Sequence, residues 1–136
     1  MKHQKGFSLI EALIALLVLS VGLIGVAAMQ LKALQSATAG YQRSVVTLAA
    51  VDAQERLWAQ LAQGNSCSEM ANNVESEWQD HWFSGSETPI RHFSGVIEAN
   101  AAECEFNIMV TLNEHESASA GEIFSYTFRL PNLGNG

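Results

Sequence analysis

This chain has little proline, little cysteine and little positive charge. Its 136 residues hold 2 Pro, 2 Cys and 7 Lys or Arg. The first proline is Pro89, so nothing on the way to Gln63 removes a backbone donor and breaks a helix. Lys32, Arg43, Arg56, Arg91 and Arg129 are scattered, and no basic patch with interleaved aromatics appears. That argues against a nucleic-acid partner, because such binding depends on clustered Lys and Arg. Cys67 and Cys104 are too far apart for a CxxC redox or zinc motif. His81, His92 and His115 are dispersed without metal-ligand spacing, and His3 lies near the start. Asp80-His81 beside Trp82 has the character of a surface or packing group, and Glu114-His115-Glu116 that of a solvated loop. Phosphate loops, nucleophile elbows and zinc motifs are missing. The sequence therefore predicts no enzyme, no metal and no cofactor.

What the chain does have is a long apolar run. Phe7 to Met29 is 23 residues with Glu11 as its one charge, and Ala12 to Met29 is 18 residues with none. As a helix, the longer stretch spans roughly 35 Å, enough for a bilayer core. Lys2 and Lys5 precede it, which predicts a cytoplasmic N-terminus with the remainder exported. Two ordinary readings fit. One is a plain single-pass anchor. The other is a cleaved secretory signal with Val26-Ala27-Ala28 as its small-residue site, although the run is long for such a segment and holds a carboxylate. Glu11 is the awkward residue. A charge in a bilayer costs between about 2.5 and 17 kcal/mol, so it snorkels to the headgroups, finds a partner or serves a function.

Gly6-Phe7-Ser8-Leu9-Ile10-Glu11, after a basic leader and before an uninterrupted apolar stretch, resembles the class III signal of type IV pilins and of type II secretion pseudopilins. Ala15 to Gly25 resembles most the minor pilins of the PilV type. The resemblance implies that a prepilin peptidase cuts between Gly6 and Phe7 on the cytoplasmic side and N-methylates Phe7. It makes Glu11 the fifth residue of the mature chain and places its carboxylate opposite the new amine of a neighbouring subunit. Removing one partner from a buried pair costs about 3–5 kcal/mol, so that pair can set the register between subunits. The implied partners are other minor and major pilins, the peptidase and methylase, an inner-membrane assembly platform and the bilayer. The implied location is the bacterial inner membrane, with a periplasmic domain, and then the fibre. The division expected is leader 1–6, membrane or fibre-core helix 7–29, and globular domain 30–136. Major pilins of this family commonly carry a Pro in the apolar half. Here there is none, and Gly22 and Gly25 supply either local softening or a packing face.

The acidic balance is a property of the exported part. The formal net charge is −7, and loss of Lys2 and Lys5 leaves 5 basic against 14 acidic side chains. If the anchor exports the domain, pairing of Cys67 with Cys104 is favoured. In a reducing compartment the two stay buried thiols. A bridge would close a loop of about 38 residues and stabilise by roughly 3–4 kcal/mol.

Helical spacing continues past the apolar run. Leu34, Ala37, Tyr41, Val45 and Leu48 form a stripe that turns polar at Asp52 and Glu55, and Leu57, Trp58 and Leu61 resume it on a shifted face. Gly64-Asn65 is the expected stop. A helix from Phe7 to Gln63 is 57 residues, roughly 85 Å long. Ser66-Cys67-Ser68-Glu69 has the spacing of a capping box. Met70, Val74, Trp78 and Trp82 then make one apolar helical face. Ser84 to Pro89 is a loop, Ile90 to Glu103 is ambiguous, and a weak strand is possible over Phe93 to Ile97. From Cys104 to Asn113 and from Phe124 to Leu130, apolar and polar residues alternate, the pattern of strands with one buried face. The polar stretch from Asn113 to Gly121 makes them an antiparallel hairpin, whose inner face would cover the second half of the long helix. The class is α+β. Three functions follow in order: minor pilin, secretion pseudopilin, or a plain anchored or secreted domain.

Overall fold

The computed structural model describes residue 6, residues 8–112 and residues 121–133. Helix α1 spans Leu9–Ala62, α2 spans Cys67–Gln79, and a π-helical turn follows over Asp80–Ser84. Strands β1 (Ser94–Asn100), β2 (Glu105–Leu112) and β3 (Glu122–Arg129) follow. The strands form one antiparallel sheet in the order β1-β2-β3. Ile97 faces Ile108, and Ile108 faces Tyr126. The arrangement is α+β: a long helix first, a small sheet last. The described residues up to Gly40 form one unit and those from Tyr41 on a second.

The second unit has a single core. Val46, Ala49, Ala50, Ala53, Leu57 and Leu61 line one face of α1 and are all buried. Opposite them stand Met70, Ala71, Val74 and Trp78 of α2 and Phe106, Ile108, Val110 and Leu112 of β2. Leu57 and Leu61 belong to the face the sequence predicts, but Tyr41, Leu48 and Trp58 of that prediction are exposed. Three alanines let neighbouring elements approach the α1 backbone, so the buried stripe follows small residues rather than large ones. Trp78 fits that close approach. Its ring is fully buried and its Nε1–H donates to the Ala49 carbonyl at 2.8 Å.

Helix ends follow local chemistry. Gly64 has φ +82°, which glycine adopts without a Cβ penalty. Its N–H donates to the Leu61 carbonyl and Asn65 N–H to the Gln60 carbonyl, the paired bonds of a Schellman ending. The capping box expected at Ser66 does not form. The Ser66 hydroxyl donates to Glu69 Oε2 at 2.7 Å and does not accept a backbone N–H, while the Ser66 carbonyl receives Glu69 N–H at 3.0 Å. Trp82 also departs from the α2 face expected of it. The backbone widens to a π-turn from Asp80, which leaves Trp82 half-buried with its Nε1–H donating to Asp52 Oδ2 at 2.9 Å. Asp52 meets Arg56 at 2.9 Å, and Arg56 reaches Glu77 of α2 at 3.2 Å.

The hairpin strands lie where the alternation predicts, and β2 alternates strictly between buried and half-buried residues. The ambiguous stretch after Ile90 resolves into β1, a full strand. Cys104 is not a strand residue. It turns the chain with φ 48°, is fully buried, and accepts Leu130 N–H at 3.0 Å. The expected loop at 113–120 lies outside the described residues.

Candidate functional site

The candidate site is the start of the chain. Gly6 is exposed and non-helical, and Phe7 lies outside the described residues. Among the described residues, a Cβ placed on Gly6 would meet nothing within 4 Å. Ser8 ends the non-helical stretch. Its carbonyl accepts Glu11 N–H at 3.0 Å and Ala12 N–H at 3.2 Å, which closes the first turn of α1. Gly6 thus lies outside the helix, three residues before Leu9.

Glu11 sits in that first turn and is exposed. Among the described residues no side chain pairs with its carboxylate. A negative charge there is favoured by the unsatisfied N–H groups of the helix start, by about 0.3–1 kcal/mol at a surface. Ser8 and Glu11 have the same Ser-x-x-Glu spacing as Ser66 and Glu69.

From Leu9 to Met29 every large apolar side chain is at least 52% exposed. Leu13, Ile14, Leu16, Leu17, Val18 and Leu19 point to every side of the helix, which is the pattern of a helix surrounded by apolar material. By length and composition α1 can cross a membrane, and none of its most apolar window is buried. Ser20 Oγ donates to the Leu16 carbonyl at 2.7 Å, which satisfies the one hydroxyl between Leu9 and Met29 within the helix itself. Thr38 and Thr47 make the same bond further along α1. A Cβ on Gly22 or Gly25 would meet nothing within 4 Å.

The remaining candidates lie in the second unit. Cys67 and Cys104 are joined as a disulfide with Cα atoms 5.4 Å apart, within the usual range. The bridge ties the first residue of α2 to the turn between β1 and β2. His81 packs edge-on against Trp82, and His92 Nε2 accepts from Arg91 Nε at 3.2 Å. His3 and His115 lie outside the described residues. The structure brings together the two cysteines and places Glu11 two residues into α1.

Residues 1–27 match the family model described as the prokaryotic N-terminal methylation motif. Neither a curated protein nor a solved structure matches the chain. The motif supports a prepilin-type signal at the start of this chain, and with it a type IV pilin-like or pseudopilin-like protein that enters the membrane through an apolar N-terminal helix.

Proposed function

We propose that the chain is a minor type IV pilin, a structural subunit that is cut by prepilin peptidase and built into a pilus, where it helps to initiate or modify the fibre. One observation carries this reading. A methylation motif over residues 1–27 runs straight into a helix whose apolar side chains find no cover in their own chain. The protein waits in the inner membrane with residues 30–136 in the periplasm, and leaves when its apolar helix packs among those of other subunits. Gly6 lies inside the matched motif, immediately before Phe7, which supports cleavage between the two. Glu11 then docks on the methylated amine of Phe7 in a neighbour. The chain is a substrate of peptidase and methylase, not a catalyst. A pseudopilin of a type II secretion system is the alternative, since it uses the same first thirty residues.

The test is the N-terminus of the mature protein by mass spectrometry in a host with a working prepilin peptidase. N-methyl-Phe7 is expected. A start at Met29 makes the protein a secreted domain, and an intact Met1 makes it a simple anchor. Either result overturns the reading. A deletion strain then separates the two processed fates: a pilin loses pili, and a pseudopilin loses protein secretion. Glu11→Ala is expected to leave cleavage intact and to reduce incorporation into fibres, and normal incorporation would remove the role given to that carboxylate.

A further inference from the structure

We propose that the outward face of α1 between Tyr41 and Trp58 docks on the first unit of a second copy of this chain, with Glu55 of one copy paired to Lys32 of the other. Six charged side chains stand on α1. Arg43, Asp52 and Arg56 are paired within the chain. Glu11, Lys32 and Glu55 are exposed, and among the described residues none of the three has a partner. The function proposed above gives Glu11 the amine of a neighbour. One cation and one carboxylate are then left over on α1.

Glu55 does not stand on an ordinary polar face. Tyr41, Leu48, Val51 and Trp58 are between 41% and 60% exposed, while Val46, Ala50, Ala53 and Leu57 are buried. Leu48, Val51, Glu55 and Trp58 recur at three- and four-residue steps, so they share one side of the helix. The second unit thus carries an apolar row turned away from its own core, with one carboxylate inside it. Single exposed apolar side chains are normal on a surface, but a continuous row marks a contact. A carboxylate covered by such a contact needs a cation from the partner.

The first unit of this chain offers that cation on a face of matching shape. Gly25, Ala28 and Lys32 are exposed and follow the same steps as Leu48, Val51 and Glu55. Each residue of the second set lies 23 positions after its counterpart in the first. Two parallel helices, shifted against each other by that amount, therefore set Leu48 against Gly25, Val51 against Ala28 and Glu55 against Lys32. Large side chains meet small ones, which lets the two backbones approach. The charges fall at the same level as a consequence of the same shift, not as a separate adjustment.

Direct pairing of two outward faces does not meet these terms, because parallel copies would bring Glu55 against Glu55. The shifted contact is head to tail. Each copy offers its second unit to one neighbour and its first unit to another. A contact that includes a shift along the helix cannot close on itself, so it extends into a line of copies. The inference rests on the function proposed above, since chains anchored at one depth are not shifted and the subunits of a fibre are.

The experiment measures the full chain in fibres sheared from cells, relative to its amount in membranes. Glu55→Lys and Lys32→Glu are each expected to lower that ratio at least about tenfold, and the two together to return it to within about twofold of the parent. Both positions are exposed, so neither change is expected to disturb the fold. Only a pair formed between copies is restored by exchanging both charges. Single variants at the parental ratio overturn the contact. A combined variant as low as the single ones assigns Glu55 to a different chain and overturns the second copy as occupant. Lys32→Cys with Glu55→Cys supplies the second arm. It is expected to give linked pairs and larger species on a non-reducing gel of the fibres, while each change alone leaves the chain unlinked. No link with both changes, or a link with Glu55→Cys alone, overturns the proposal. The parent separates this from the pilin reading. A parent absent from fibres overturns both, whereas a parent present in fibres, with neither rescue nor link, overturns the contact alone.

Discussion

The two ends of α1 are one helix built for two surroundings. From Leu9 to Met29 large apolar side chains stand on all sides and none is buried. From Val46 to Leu61 one narrow stripe is buried, and half of it is alanine. The first stretch is uniformly greasy because its neighbours are lipid tails or other helices, which favour no direction. The second is selective because its neighbours are α2 and the sheet, which lie to particular sides. Large apolar residues mark the first environment and small ones the second. Hydrophobicity alone therefore points away from the core of the folded domain.

The largest test of that contrast is a charge placed in each half. Leu17→Arg puts a guanidinium into the apolar stretch at a cost of at least about 2.5 kcal/mol, which is expected to shift the protein out of the membrane fraction. Leu48→Arg, on the exposed side of the packed half, is expected to change the unfolding free energy by under about 0.5 kcal/mol. Fractionation of the first and thermal unfolding of the second are the measurements. Equal effects would erase the distinction.

Removing the bridge should affect the packed half alone. Cys67→Ser with Cys104→Ser is expected to cost about 3–4 kcal/mol in the chain-entropy picture. In a domain of this size that lowers the melting temperature by more than about 10 °C, without changing the membrane fraction. Ala53→Leu comes next. It forces three added heavy atoms into a stripe that works because it is small, with an expected cost of about 1–3 kcal/mol by thermal unfolding. If Ala53→Leu stabilises, the stripe is loosely packed and the argument from alanine fails.

These residues also show what could be read beforehand. Glu11 was legible because a lone carboxylate in an apolar run violates the expected pattern, and β2 and β3 were legible because period two is a local property. Of the α1 stripe only Leu57 and Leu61 were legible, since Ala49, Ala50 and Ala53 look neutral until α2 is packed on them. Strand β1 was only partly legible, as a weak strand over Phe93 to Ile97, for a related reason. Its outer edge is completed by Glu75 and Gln79, residues some twenty positions earlier in sequence, and its Gly95 makes sense only under Trp78 and Phe83. The failed capping box at Ser66 shows the converse. The spacing was right, but a hydroxyl can donate to the carboxylate as readily as it can accept from the backbone.

The smallest effect belongs to the surface of the packed half. Arg129 donates to Glu105 at 2.7 Å and to Glu103 at 2.6 Å, and all three side chains reach solvent. The hydrogen bond to Glu105, then the charges of Glu103 and Glu105, raise the guanidinium above its already high ordinary value. A raised value in the folded state adds stability that is complete below the ordinary value and is lost only as pH rises through the higher folded one. Across the neutral range the guanidinium contribution is therefore constant, and salt is the lever that reveals it. Arg129→Gln is expected to lower the melting temperature by less than either change above, with the difference from the parent gone at about 1 M salt, where charges are screened beyond about 3 Å. A deficit that persists at high salt would mean that Arg129 holds the end of β3 through its hydrogen bonds rather than its charge.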